Sequence, residues 1–196
     1  SGTGDLAVTT TGTVTGYAAG MQLYNDTATG GNITVNASGT VTGGVEWGIY
    51  ANNTGTGITT INATDVVSNA YEAIRIDNDA STGAITVNAA NLTGQLDGIH
   101  TTQYGTGDVN VTTTGTVTGK VEQGMDIYSF GSGATTINAS GDIIGNQWGI
   151  YVDDSSTGKD ITINATNVTA NLLYDGIRAW HRGSGALTIT TTGTVT

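Results

Sequence analysis

The chain has 196 residues, and its 39 threonines and 31 glycines fill 70 positions, while charged residues make up only 11%. The lack of cysteine excludes a disulfide scaffold, a thiolate metal site and a cysteine nucleophile. A net charge of -11 with five Lys and Arg argues against a nucleic-acid partner, and no apolar run of about 20 residues is present to span a bilayer as a helix.

Low charge combined with 37% hydrophobic residues is not the balance of a disordered tract. Threonine, valine and isoleucine suit a pleated surface, and helical spacing of Ala, Leu, Glu and Lys is missing, so the class is all-β. The first predicted strand region is Val8-Thr9-Thr10-Thr11-Gly12-Thr13-Val14, and Gly20-Met21-Gln22-Leu23 follows. The first pattern returns at Val35-Asn36-Ala37-Ser38-Gly39-Thr40-Val41, and the second at Gly48-Ile49-Tyr50-Ala51. Next come Ile61-Asn62-Ala63-Thr64-Asp65-Val66, Ala73-Ile74-Arg75-Ile76, Val87-Asn88-Ala89-Ala90-Asn91-Leu92 and Gly98-Ile99-His100-Thr101. Later copies of the first pattern begin at Val111, Ile137, Ile163 and Ile189. Between them lie Gly124-Met125-Asp126-Ile127, Gly149-Ile150-Tyr151-Val152 and Gly176-Ile177-Arg178-Ala179. The eight copies of the first pattern are spaced by 27, 26, 26, 24, 26, 26 and 26 residues.

A unit of this size cannot bury its own apolar face, but stacked units can. The spacing predicts a parallel β-helix of about seven to eight coils, each of about 26 residues with three short strands. Coils pairing at about 4.8 Å would give a rod roughly 35 Å long, with right-handed winding as for parallel crossovers generally. Alternation turns Ile33, Val35, Ala37, Val41, Ile49 and Ala51 inward, with Thr34, Asn36, Thr40, Thr42 and Tyr50 outward. The absence of proline fits strands that donate to ladders on both sides. One β-helical segment is expected over residues 1–196. With no capping helix or atypical terminal repeat in view, it is expected to belong to a longer array and to stack end to end.

The strings Asn36 to Gly43 (N-A-S-G-T-V-T-G) and Trp47 to Ala51 (W-G-I-Y-A) resemble the passenger domains of bacterial autotransporters, particularly diffuse-adherence and self-associating adhesins. The resemblance spans essentially the whole chain and implies the β-helix, export to the cell surface or secretion, and a membrane barrel outside this segment. It carries over no catalytic residue. A protease passenger would need a separate globular domain for its nucleophile and histidine, and no such domain is legible here.

In-register coils would stack Gln22, Tyr50, Arg75, His100, Asp126, Tyr151 and Arg178 in one outward column. Ala19, Trp47, Glu72, Asp97, Gln123, Trp148 and Asp175 would form a neighbouring column near a turn. Candidate binding residues are therefore Trp47, Tyr50, Trp148, Tyr151, Arg75, His100, Asp126 and Trp180. Outward aromatics stack on sugar rings or anchor a protein partner, or else shield a strand edge. The Glu72, Arg75, Asp97, His100 and Asp126 face offers an alternative, a polysaccharide-active enzyme with paired carboxylates. Alternating charges favour the simpler reading, in which Arg75 and His100 pair with neighbouring carboxylates.

Threonine ladders of the T-x-T type are broken by Asp65/Val67 and Asp142/Ile144, which leaves β-propensity rather than ice binding as their reason. The acids at Asn25-Asp26, Asp77-Asn78-Asp79 and Asp153-Asp154 lack the calcium β-roll nonapeptide and read as solvent-facing Asx turns. Asn36, Asn62, Asn88, Asn138 and Asn164 recur at one strand position and form a candidate outward ladder. No metal or cofactor is expected. The expected function is non-enzymatic: a rigid rod acting by multivalent contact, through self-association or with a host or bacterial surface glycan or protein. A pure spacer is the third reading.

Overall fold

Strands in which β-branched apolar residues alternate with Thr and Asn carry one inward side chain per two residues, and stacking such strands joins these side chains into a core. The computed structural model describes residues 4–79, 83–154, 158–172 and 174–196, and the described residues hold strands and no helix. The ten-stranded sheet runs Leu6–Thr10, Ile33–Gly43, Thr59–Ser68, Ile85–Gly94, Val109–Thr113, Thr135–Gly145, Ile161–Ala170 and Leu187–Thr191, with Val14–Gly16 and Val117–Gly119 alongside. The seven-stranded sheet takes one strand from each coil: Met21–Asn25, Ile49–Asn53, Ile74–Asn78, Ile99–Gln103, Met125–Ser129, Ile150–Asp154 and Ile177–His181. Each strand pairs in parallel with its equivalent one coil away, as Val35 with Ile61 and Ile74 with Ile99. The fold is a parallel β-solenoid.

Two of the three expected short strands are fused in most coils. In Ile33–Gly43 and Thr135–Gly145 they form a single strand of 11 residues with a register shift in its middle, while Leu6–Thr10 and Val14–Gly16 stay separate. The cause of the shift is one residue. Ala37 to Thr40 lies against Ala63 to Asp65, so the copies with Gly39 or Gly141 carry an extra position that the copies with Asp65, Asn91 or Asn167 lack. Asn side chains occupy the gap. Asn91 Oδ1 accepts the Thr116 N–H at 3.2 Å, and Asn167 Oδ1 accepts the Thr194 N–H at 3.0 Å. A Cβ on Gly115 or Gly193 would sit 2.3 or 2.2 Å from those same oxygens.

The core is a set of axial stacks. Ile61, Val87, Val111, Ile137 and Ile163 form one, and Ile49, Ile74, Ile99, Met125 and Ile150 another, all buried. All six residues expected to point inward are in this core. Among the described residues no glycine has a positive φ, so glycine serves this fold by lacking a Cβ. At Gly94 an added Cβ would lie 1.7 Å from the Asp97 carbonyl oxygen.

Candidate functional site

Because every strand of the seven-stranded sheet is paired in register, its outward positions align along the rod. The predicted column exists: Gln22, Tyr50, Arg75, His100, Asp126, Tyr151 and Arg178 are successive Cα partners. Two residues further along each strand a second column holds Tyr24, Asn52, Asp77, Thr102, Tyr128, Asp153 and Trp180.

Aromatic side chains gather at both ends of this face. Trp47 stacks on Tyr50 with ring centroids 4.6 Å apart, and Tyr24 and Tyr71 join at 5.4 and 5.5 Å. Toward the other end Trp148 meets Tyr151 and Tyr174, each at 5.1 Å, and Tyr128 lies 5.8 Å from Tyr151. Arg178 sits over the rings of both Trp148 and Trp180, at 5.4 and 4.9 Å, and Arg182 reaches Trp180 at 5.3 Å. Trp180 is exposed, whereas Trp47 and Trp148 are half-buried beneath their neighbours. Sequence reasoning missed Tyr24, Tyr71, Tyr128 and Tyr174. Tyr24 and Tyr128 share a strand parity with Gln22 and Asp126, a signal that was available; Tyr71 and Tyr174 lie in turns whose path only the fold defines.

Between the aromatic ends lies a charged group, and here the expected outward column needs correction. Glu72, Asp97 and Asp126 are only 4%, 1% and 5% exposed, since the turn column folds over the sheet and His100 and Tyr151 flank Asp126. Arg75 donates from Nε to Asp77 at 3.0 Å and from Nη1 to Glu72 Oε1 at 3.3 Å. His100 Nδ1 donates to Asp126 Oδ2 at 3.1 Å and lies 3.7 Å from Asp97 Oδ2, while Nε2 faces the Thr102 hydroxyl at 3.2 Å. Asp97 Oδ1 accepts the Gln123 N–H at 2.7 Å. Arg75 and His100 are thus paired with carboxylates, as the alternating charges implied.

Burial opposes a charge on His100, yet its hydrogen bonds to Asp126 and Asp97 prevail and push its pKa up to about 9. Burial raises the Asp97 carboxyl against the hydrogen bonds from His100 and Gln123, and the Asp126 charge adds to the rise. Burial likewise raises Tyr50 to about 12, with Asp77 beside it. Among the described residues, Glu72 Oε2, Gln123 Oε1 and Asp126 Oδ1 are buried without a hydrogen-bond partner. Glu72, Asp97 and His100 each bring one ligand-type atom within 4.8 Å of the others.

The acids expected in solvent-facing turns divide in two. Asp26 and Asp79 are exposed, but Asn25, Asn78, Asp153 and Asp154 are buried. Strand alternation continues past the apolar core, so the last residue of each strand in this sheet points inward: Asn25, Asn53, Asn78, Gln103, Ser129, Asp154, His181. Five of the seven, Asn25, Asn53, Asn78, Gln103 and His181, donate there to turn carbonyls. Asn25 donates to the Gly31 carbonyl at 2.7 Å, Gln103 to that of Gly83 at 2.8 Å, and His181 to that of Gly185 at 2.9 Å.

A second surface runs along the ten-stranded sheet. The asparagine ladder forms as expected, with Asn62 donating to Asn36 and Asn88 to Asn62, both at 2.8 Å, and Asn164 to Asn138 at 2.9 Å. Thr112 interrupts it between Asn88 and Asn138. Grooves of about 420 and 290 Å³ follow the ladder on either side of that break, including Ala37, Ala63 and Ala89 in the first and Ala139 and Ala165 in the second. No family model matches the chain, and no curated protein or solved structure matches it either.

Proposed function

We propose that this chain is a non-enzymatic, adhesive rod segment of a secreted or cell-surface protein, and that the outer face of its seven-stranded sheet binds a glycan chain. The observation that carries this reading is the pair of Trp/Tyr clusters, Trp47/Tyr50 and Trp148/Tyr151, aligned on one face four coils apart. At about 4.8 Å per coil that separation is about 19 Å, a span that several sugar rings would bridge. Stacking platforms at both ends, with Gln22 and Asn52 beside one and Arg178 and Arg182 beside the other, combine the apolar and polar contacts that sugars require. The net charge of -11 favours a neutral polysaccharide over a polyanion.

Burial of Glu72, Asp97 and Asp126 supports a non-enzymatic role, because a glycosidic oxygen has no approach to carboxylates covered in this way. Affinity electrophoresis in gels containing neutral polysaccharides, followed by tryptophan fluorescence titration, tests the reading. Trp47→Ala/Trp148→Ala should weaken retention at least about tenfold with unchanged far-UV circular dichroism. Absence of binding to any neutral polysaccharide, or equal binding by the double variant, would overturn it.

The asparagine ladder supports a second reading, side-by-side self-association. Asn62 spends one donor and one acceptor within the ladder, Asn36 and Asn138 only an acceptor and Asn88 and Asn164 only a donor; the amide groups left over can meet a second rod, so weak contacts would add along the length. Sedimentation velocity over a concentration series separates the two, since Asn62→Ala/Asn88→Ala would abolish dimers and leave glycan retention intact. A rod that neither associates nor binds glycan would be a spacer.

A further inference from the structure

We infer that Glu72, Asp97 and His100 form a binding site for a divalent cation of the Mn2+ or Zn2+ type, buried under the outer face midway along the rod. Two consecutive coils supply the donors: Glu72 precedes the strand Ile74–Asn78, and Asp97 and His100 flank the start of Ile99–Gln103. A carboxylate cluster alone would carry no such inference. Here the side chain of Glu72 is more than nine-tenths buried, yet Glu72 Oε2 has no hydrogen-bond partner among the described residues. Leaving such an oxygen unpaired is costly, and a cation held by the group is a partner for it.

The spacing fits. Metal bonds of about 2.0 to 2.2 Å put neighbouring ligand atoms about 3.0 to 3.5 Å apart in octahedral or tetrahedral sites. His100 Nδ1 lies 3.1 Å from Asp126 Oδ2 and 3.7 Å from Asp97 Oδ2, and the ligand atoms of Glu72, Asp97 and His100 all fall within 4.8 Å of one another. The outer contacts are those that orient metal ligands. Glu72 Oε1 is held by Arg75, Asp97 Oδ1 by the Gln123 N–H, and His100 Nε2 by the Thr102 hydroxyl, which leaves Nδ1 turned toward the carboxylates. Gln123 Oε1, also buried and unpaired, offers a further oxygen. Two carboxylates with one imidazole match Mn2+ or Zn2+ better than an all-oxygen calcium site. Charge balance agrees: the four carboxylates Glu72, Asp77, Asp97 and Asp126 outnumber their basic partners Arg75 and His100, and a divalent ion offsets the excess.

The inference is independent of what the outer face binds, and its test uses no glycan. Protein stripped with a chelator is titrated with MnCl2, ZnCl2 and CaCl2 by calorimetry, and its thermal midpoint is followed with and without each ion. The expected result is saturable binding of Mn2+ or Zn2+ at one ion per chain with a raised midpoint, and weaker binding of Ca2+. Glu72→Gln and Asp97→Asn should each weaken binding about a hundredfold, and His100→Gln should remove the visible absorption of a Co2+-loaded sample. Circular dichroism identifies any variant that fails to fold, and Glu72→Gln, at the rim of the group, keeps the test open if Asp97→Asn does. No saturable binding of any of the three ions up to millimolar concentration would overturn the inference, as would unchanged binding in the folded variants.

Discussion

Replacing Ile99 by alanine tests the axial stack that holds the candidate site. Ile99 is fully buried, lies between Ile74 and Met125 in neighbouring coils, and immediately precedes His100. Truncation removes three carbons, and at about 0.8 kcal/mol for each buried CH2-sized group the lost transfer free energy is about 2.4 kcal/mol. The cavity adds to this, because strands paired on both sides cannot close in, so the expected loss falls in the range of about 2 to 5 kcal/mol. Ile99→Val removes one carbon and should lose only about 0.5 to 1.5 kcal/mol. Urea unfolding followed by circular dichroism and by tryptophan fluorescence provides the measurement, with the shift in midpoint read at constant m. A lower m in Ile99→Ala would report uncoupling of the coils on either side, as a chain of nearest-neighbour units allows. A loss below about 1 kcal/mol with m unchanged would refute the assignment of Ile99 to a filled, rigid stack.

Two further outcomes follow from particular contacts. Gly94→Ala would place a Cβ 1.7 Å from the Asp97 carbonyl oxygen and 3.0 Å from the Ala73 nitrogen, all backbone, so the turn carrying Asp97 must move. A destabilisation of about 1 to 3 kcal/mol in urea is expected, and a neutral effect would mean that the turn is not held as described. His181 faces acceptors with both ring nitrogens, the Gly185 carbonyl at 2.9 Å and Asp154 at 2.8 Å, and these contacts raise its pKa against the opposing effect of burial. Its stabilising contribution is therefore complete below the ordinary histidine value of 6.5 and is lost as pH rises through the raised folded value. Urea midpoints should fall over that window in the parent protein, and His181→Gln should flatten the fall; an unchanged pH profile would refute the ion pair.

The regular spacing of V-N-A and G-I-x strings made the solenoid legible, because one coil's inward residues recur at the coil length and their strand-type alternation selects β coils. The column from Gln22 to Arg178 was legible for the same reason, as was the pairing of Arg75 and His100 with acids. The register shifts were not, although their cause lies in the string lengths: copies with Gly39 and Gly141 are one residue longer than those with Asp65 and Asn167. Reading that difference as a bulge requires knowing which residue faces which across the ladder.

What sequence alone determined was periodicity: the class, the coil length, the inward residues and the order of the column from Gln22 to Arg178. Tertiary structure decided burial at the turns. Trp47, Glu72, Asp97 and Trp148 each lie two residues before the first residue of their strand, in the turn, where the backbone path sets what each side chain covers. Glu72 and Asp97, which read as part of a surface row, are therefore buried beside the strand residues His100 and Asp126, and Asn78 and Asp154, which read as turn residues in solvent, line the interior.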